Sequence, residues 1–479
     1  MIVAKFGGTS VGDTAAIERT AAIVRDRLSR HPVVVVSALA GTTNALLDIA
    51  AQSAQGQFIA AIRGIEVLRE RHLAVVDGLL GAGEEGGEIG ADVSVLFDEL
   101  AHLSEALSVL GDLSPRSLDA VASYGERLSA PIVSAAFAQR GIPAAYVDAR
   151  RVMITDAAFG KAVPQVDAIA DAAREQLLPL LREGKVPVIG GYIGATAEGI
   201  TTTLGRGGSD YSAALLGAAL DAEAIEVWTD VDGMLTADPR VIPEARLIEH
   251  IRFDEAAELA SFGAKVLHPS TIAPAVQRSI PVFIYNSHRP QANGTRITFD
   301  APRLAVRAIA GRSNVVLMNV KSSRMLGSPG VVRAIFSVFE RYALSVDVIA
   351  TSEVSVSVTV DADHHLDAVL TELRAFGDVT VERGRGIVAL VGAGLGGHTP
   401  TMARALGALG ELRVHMCSLS ASGINLTVIV DGDQVHEAMR RLHRAFFEET
   451  TCARFASPSS GTGRWGNWWP RWPRSRVWR

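Results

Sequence analysis

Short apolar runs alternate with longer stretches of helical period through the first 300 residues. The runs are Ile2 to Ala4, Pro32 to Ser37, Ala144 to Val147, Val186 to Gly190, Ala224 to Thr229 and Val282 to Asn286. Each is nearly continuous in apolar residues, the pattern of a strand covered on both faces, and helical stretches separate them. That alternation predicts an α/β unit, a mainly parallel sheet sandwiched by helices. Thr14 to Leu28 has helical character with an Asp or Thr placed to cap it. Gln57 to Leu110 is helical apart from a glycine and glutamate cluster, Gly81 to Gly90, which predicts the loop of an inserted helical hairpin.

After Arg303 the rhythm changes. Strands are predicted at Val315 to Lys321, Ser345 to Ala350, Val354 to Asp361 and Val379 to Glu382, with helices at Gly330 to Tyr342 and His365 to Phe376. A second pass starts at Ile387 to Val391 and continues through helix Thr399 to Leu409, strands Arg413 to Leu419 and Ile424 to Val430, and helix Gln434 to Phe447. Two weakly similar α+β units of ferredoxin-like order therefore follow the first domain. The expected division is 1–302, 303–385, 386–455 and a tail, 456–479. The tail holds five of the six tryptophans with five arginines but has neither period, so it is expected to be disordered rather than a membrane or nucleic-acid binder.

Composition narrows the partners. The formal charge of the 479 residues is -6 and 20% of them are charged, so no basic field invites nucleic acid or an anionic membrane. No apolar run approaches the roughly 20 residues of a membrane span. Cys417 and Cys452 make no disulfide framework and lack the paired spacing of a zinc site. A cytoplasmic protein acting on a small molecule is expected.

Two glycine loops each follow a predicted strand and open a helix. Lys5-Phe6-Gly7-Gly8-Thr9-Ser10-Val11-Gly12 offers backbone N–H groups, a helix N-terminus and a lysine to an anion. Gly205-Arg206-Gly207-Gly208-Ser209-Asp210 adds a planar cation suited to a carboxylate or phosphate, and Asp210 stands where either a simple N-cap or a functional acid would stand. Gly190-Gly191-Tyr192-Ile193-Gly194 ends a third strand. Together they indicate a nucleotide phosphate site.

These motifs, with Ser-Tyr-Gly-Glu at 123–126, Thr-Asp-Val-Asp-Gly at 229–233 and Phe-Gly-Ala-Lys-Val-Leu-His-Pro at 262–269, resemble the set found in aspartate kinases of the amino acid kinase fold, from Met1 to about Cys452. The resemblance implies transfer of a phosphoryl group from ATP, with Mg²⁺, to the side-chain carboxylate of L-aspartate. That carboxylate, with a pKa of about 3.9, is already ionised at pH 7, so no general base is required. By resemblance Lys5 stabilises the transferring group, Gly7 and Gly8 donate to it, and Asp210 orients the lysine. Ser37, Thr43, Glu126, Tyr192, Arg206 and Ser209 would bind aspartate, with Arg206 on the α-carboxylate. Thr229, Asp230, Arg240 and Lys265 would line the ATP site, and no residue is assigned as a metal ligand. Leu235 departs from relatives that carry an aromatic residue beside the nucleotide.

The two α+β units resemble ACT domains, which bind amino acids at paired interfaces. Met325, Ser328, Gly330, Val331, Ser345, Val346, Asp347, Thr351, Ser352 and Glu353 match the effector site of lysine-regulated relatives. Lysine is the expected effector, with threonine as the alternative, and a homodimer or homotetramer is expected. Other carboxylate kinases of this fold, of glutamate type, lack the paired units, and a non-catalytic amino-acid sensor would not need Lys5, Arg206 and Asp210. Gly392-Ala393-Gly394-Leu395-Gly396-Gly397 matches a dinucleotide fingerprint, yet too little chain follows for such a domain and no ribose-binding acid ends the next strand. It is expected to be a turn.

Overall fold

The computed structural model describes residues 1–262, 269–322, 330–362, 365–396 and 398–448. Lys265, Met325, Ser328, Cys452, His364 and the tail 456–479 lie outside the described residues.

The first domain is built on strands β1 (Ile2–Phe6), β2 (Pro32–Val36), β3 (Ala144–Val147), β4 (Val186–Gly190), the hairpin β5 (Ile193–Ala195) and β6 (Thr201–Thr203), then β7 (Ala224–Thr229), β8 (His250–Arg252), β9 (Val282–Asn286) and β10 (Thr295–Thr298). Eight of them form one sheet in the order β3-β4-β2-β1-β7-β9-β10-β8, parallel except at the β9–β10 pair. All five residues of β1, β2 and β4 are buried, as their unbroken apolar runs predict. Helices α1 (Thr14–Arg25), α2 (Thr42–Ala54), α3 (Phe58–Leu80), α4 (Glu84–Leu110), α5 (Pro115–Ala122), α6 (Tyr124–Gln139), α7 (Val166–Arg182), α8 (Gly208–Ala219), α9 (Phe253–Ser261) and α10 (Ala273–Gln277) cover it. Asp13 caps α1 by accepting the Ala16 N–H at 2.8 Å.

The helical hairpin is present, but its turn is only residues 81–83. The glutamate and glycine cluster lies inside α4, where Glu84 and Glu85 occupy a first turn that favours acids. Likewise α8 begins at Gly208, with Gly207 as its cap, so Asp210 sits within the first turn and is not the N-cap.

The second half forms one six-stranded sheet, β12-β13-β11-β14-β16-β15, from β11 (Ala308–Lys321), β12 (Val346–Thr351), β13 (Ser355–Asp361), β14 (Asp378–Val391), β15 (Met416–Leu419) and β16 (Asn425–Asp431). Helices α11 (Val331–Arg341), α12 (Leu366–Leu373), α13 (Thr399–Leu409) and α14 (Val435–His443) pack on it. The sequence divides Val379 to Val391 into two strands, whereas β14 runs unbroken and pairs with β11 along both units. Residues 383–386 stay within the strand as an irregular step, with Gly384 at φ 68° and a shift of register against β11, because Arg385 still pairs with Val315 and with Asp431. One hydrophobic core runs without a break from Val3 and Val33 to Ile387 and Ile429, so the second half is packed directly on the first domain.

Candidate active site

Strand β1 is central, and the chain leaves it towards β2 on one side and reaches β7 on the other. Parallel strands put their carboxyl ends on one edge, and a crevice opens where their order reverses. Lys5 and the Gly7-Gly8 turn, Ser37 after β2, Gly190 to Tyr192 after β4 and Thr229 after β7 all lie at that edge.

Gly7 N–H donates to the Trp228 carbonyl at 3.0 Å, which fastens the first glycine loop beside the end of β7. Gly8 packs so closely on the next loop that a side chain there would begin 3.0 Å from the Ala38 carbonyl oxygen. Lys5 is buried, 8% exposed, and its Nζ lies 2.6 Å from Asp210 Oδ1. The contact is a close ion pair to one carboxylate oxygen, and the ammonium has three protons, so others remain for a phosphate.

Beside this pair lies a polar cleft. Ser37 Oγ donates to Ser209 Oγ at 3.1 Å, joining the loop after β2 to the first turn of α8. Glu126, in the first turn of α6, accepts the Ala38 N–H on Oε1 at 3.1 Å, while Oε2 is buried without a partner. Burial raises its carboxyl to about 8. Tyr192 holds a left-handed backbone, φ 63°, fixed by the Ser212 hydroxyl on its N–H at 3.0 Å, and burial pushes its phenol up. Glycine is required around it: a side chain on Gly191 would start 2.7 Å from Ser209 Cβ. Thr43, in the first turn of α2, faces the same contact, since a Gly125 side chain would start 3.8 Å from its Oγ1. Arg206 is exposed and has no acidic partner among the described residues.

On the β7 side a cavity of about 420 Å³ is lined by Thr229, Asp230, Met234, Leu235 and Arg240 and closed by Ile309 to Gly311 and Met439 of the second half. Its apolar walls and few polar groups suit a flat heterocycle. Leu235 is part of that wall, so aliphatic packing stands where the sequence lacks an aromatic ring. Arg240 is drawn to Asp238, Nη2 to Oδ2 2.6 Å, on the exposed rim.

Residues 1–286 match the amino acid kinase family, and residues 318–373 and 388–446 match the ACT domain. The chain is 39% identical to the lysine-sensitive aspartokinase 3 of Escherichia coli over 94% of its own length and 99% of the relative's. The chain belongs to the amino acid kinase family, among the aspartokinases. Two solved structures of E. coli aspartokinase III, one in complex with aspartate and ADP in the R-state and one with lysine and aspartate in the T-state, superpose on it with TM-scores of 0.81 and 0.78. In each case 94% of this chain and all of the other are covered at 38% identity.

In this aspartokinase the expected effector residues on and beside β12, among the described residues, do not converge within one chain. Gly330, with φ 93°, caps α11 and Val331 opens it. Ser345 to Asp347 and Thr351 to Glu353 stand at opposite ends of β12, an edge strand, about 20 Å apart at the usual rise per residue. Asp347 is ion-paired with Arg312 of β11. The glycine fingerprint at 392–396 is a crossing point. Side chains on Gly394 and Gly396 would start 3.0 Å from Ala305 Cα and 2.5 Å from Gly423 Cα, and the N–H groups of Gly392, Gly394 and Gly396 already donate to carbonyls.

Three features escaped the sequence. Asp119 is buried and accepts from Gly160 N–H, Thr203 N–H and Thr203 Oγ1, at 2.8, 3.0 and 2.6 Å, just ahead of the Arg206 loop. Arg71 of α3 reaches both loops beside Lys5. His443 of α14 bonds Thr236 Oγ1 at 3.0 Å next to the nucleotide-sized cavity. All three are joined to their partners only by long-range folding, and local pattern carries no signal for them.

Proposed function

We propose that the enzyme transfers the γ-phosphoryl group of MgATP to the β-carboxylate of L-aspartate, giving 4-phospho-L-aspartate, the first step towards lysine, threonine and methionine, and that lysine inhibits it through the ACT units. The observation that carries this reading is the Lys5–Asp210 pair, set between the Gly7-Gly8 loop and the cleft of Ser37, Glu126 and Ser209. The relatives' complexes with aspartate, ADP and lysine support the same assignment.

In this reading Thr229, Asp230, Arg240 and Lys265 hold the nucleotide, and Mg²⁺ enters with ATP as the counter-ion of its phosphates. Of the two glycines expected to donate to the transferring phosphoryl, Gly8 does so, since the Gly7 N–H is already bound to the Trp228 carbonyl and shapes the loop, and Lys5 neutralises charge as the group passes to the acceptor. Asp210 keeps the Lys5 ammonium in place. Arg206 grips the α-carboxylate of aspartate, Glu126 receives its ammonium, and Ser37, Thr43, Tyr192 and Ser209 fix the side chain. Chemistry reduces to positioning and charge, since the nucleophile is ionised beforehand.

Residues 1–302 would be the catalytic domain, and 303–385 and 386–455 the two regulatory units. The β12 edge favours a homodimer, or a tetramer built from it. Antiparallel pairing of β12 with its copy would bring Ser345 to Asp347 of one chain to Thr351 to Glu353 of the other, completing a site for an amino acid. A cytoplasmic setting accords with the absence of a helix long and apolar enough to cross a membrane among the described residues.

The test is a hydroxamate assay with MgATP and a panel of acidic amino acids. Aspartyl hydroxamate is expected, suppressed by added lysine and abolished by Lys5→Ala; a preference for glutamate, or turnover by Lys5→Ala near the parent rate, overturns the assignment.

A further inference from the structure

The phosphate loop and the aspartate loop belong to different strands, yet they must hold donor and acceptor in line to within a fraction of an ångström. A backbone bond joins their roots, Ser37 N–H to the Phe6 carbonyl at 3.1 Å, and beyond it they touch at two points. A side chain on Gly8 would start 3.0 Å from the Ala38 carbonyl oxygen, and one on Gly12 would start 3.1 Å from Ala40 Cβ. Past that root bond, contact alone lets the two loop tips slide. A third element spans the seam: Arg71, on the inserted hairpin helix α3, donates from Nη1 to the Ala40 carbonyl at 2.7 Å and from Nη2 to the Gly12 carbonyl at 2.9 Å. One planar fork thus bonds the end of the Lys5 to Gly12 loop and the middle of the Ser37 to Thr43 loop.

The guanidinium is well suited to this. Its two terminal nitrogens are fixed relative to each other, so the separation of the two carbonyls is fixed as well. The side chain is partly buried and has no carboxylate partner among the described residues, so the two carbonyls are its anchors. The helix beneath it is held in turn: the next residue, His72, is fully buried and bonds the Leu68 carbonyl at 2.7 Å.

We propose that Arg71 is a positioning residue that staples the phosphate loop to the aspartate loop and so keeps Lys5 in register with Ser37 and Thr43. The inference rests on the aspartate kinase reading of this site. It gives the inserted helical hairpin a task in the reaction although it contributes no group to the substrates.

The experiment compares the full-length protein with Arg71→Met, which keeps the stem and removes both bonds, and Arg71→Lys, which can keep one. Hydrogen exchange of the amides in 8–12 and 38–43 and hydroxamate kinetics are both measured. Arg71→Met is expected to speed exchange in both segments together by about tenfold, and to lower kcat about tenfold while KM for ATP stays within about twofold. Arg71→Lys should restore part of both. Unchanged exchange in either segment, or a kcat equal to the parent's, overturns the staple; so does a kcat loss that Arg71→Lys does not relieve at all. If Arg71→Met does not fold, Arg71→Lys decides by the same two readouts, an intermediate loss supporting the staple and parent-like values overturning it. Failure of the parent itself to phosphorylate aspartate defeats the proposed function instead, and the exchange measurement then judges the staple alone.

Discussion

Arg307 Nε donates to Glu255 Oε2 at 3.1 Å, and the two side chains are 6% and 0% exposed. The other carboxylate oxygen of Glu255 accepts the Ala393 N–H at 2.8 Å, so one acid of α9 is bound to the linker before β11 and to the glycine turn after β14. A second bond from the same helix, Asn425 Nδ2 to Glu258 Oε2 at 2.5 Å, reaches β16. Helix α9 is therefore the rivet between the catalytic sheet and the regulatory sheet.

Removing one member of a buried pair leaves an uncompensated charge. Arg307→Met is expected to cost about 3–5 kcal/mol of stability, and Glu255→Met combined with it should recover only part of that loss, because it removes the second buried charge but leaves the Ala393 and Arg252 N–H groups without their acceptor. Urea unfolding of the two variants checks this; a single variant as stable as the parent would mean that the pair is not held in a dry seam.

Glu126 supplies a proton-linked prediction. Its buried carboxyl stays protonated to about pH 8 in the empty enzyme, while the same group in the unfolded chain titrates near 4.5. The folded state thus holds a proton that the unfolded state has lost between those values, and this group makes stability fall as pH rises through that window. Glu126→Gln should flatten that part of the profile. In the proposed role of Glu126 the ammonium of aspartate meets the unpartnered Oε2, which makes the carboxylate the favoured form and expels the proton. Aspartate binding at pH 7 should release close to one proton, visible as a binding enthalpy that varies with the ionisation enthalpy of the buffer. In Glu126→Gln that dependence should vanish.

Much of the sheet was legible because its strands are buried on both faces. Val186–Gly190 carries no polar interruption, and Ala224–Thr229 carries only Glu226 within the run, its buried carboxylate paired with Arg27 and Arg30. The continuity of β14 was hidden, since Arg383 to Gly386 has the composition of a turn and is held in the ladder, across a shift of register, only by partners distant in sequence. The same logic divides the site. Lys5 at the end of β1, Arg206 in its loop and Asp210 in the first turn of α8 belong to glycine-rich motifs with a recognisable chemistry, and the structure brings Lys5 to Asp210. Asp119 and Arg71 stand in helices with no local motif, and their role depends on which carbonyls or N–H groups the fold delivers to them.

Asp119 gives a prediction of its own. It is 2% exposed and holds three donors, two of them on Thr203, three residues before Arg206. Asp119→Leu removes the acceptor of all three donors, so the Arg206 loop should loosen at its root. KM for aspartate is expected to rise about tenfold, with KM for ATP within about twofold, because Thr229 and Asp230 lie on the other side of β1. Equal rises in both constants would assign Asp119 to general stability and not to the aspartate side.

Arg312 sits between Asp347 and Asp361, with Nη1 3.2 Å from Asp361 Oδ1 and Nη2 on Asp347. Asp347 is the acid expected to meet the cationic effector, and its side chain is 20% exposed, so in the empty enzyme an internal cation already fills that role. Lysine must displace it or share it, and the competition lowers the apparent affinity by the strength of the internal pair. Removing the competitor in Arg312→Gln should therefore lower the lysine concentration that halves activity, by about fivefold for a partly exposed pair near 1 kcal/mol. Asp347→Asn should raise it instead, since the anion itself is lost. Opposite shifts in the two variants, measured on enzyme with unchanged uninhibited activity, are what a counter-ion exchange requires; shifts of the same sign would show that Arg312 supports the effector site and does not compete for it.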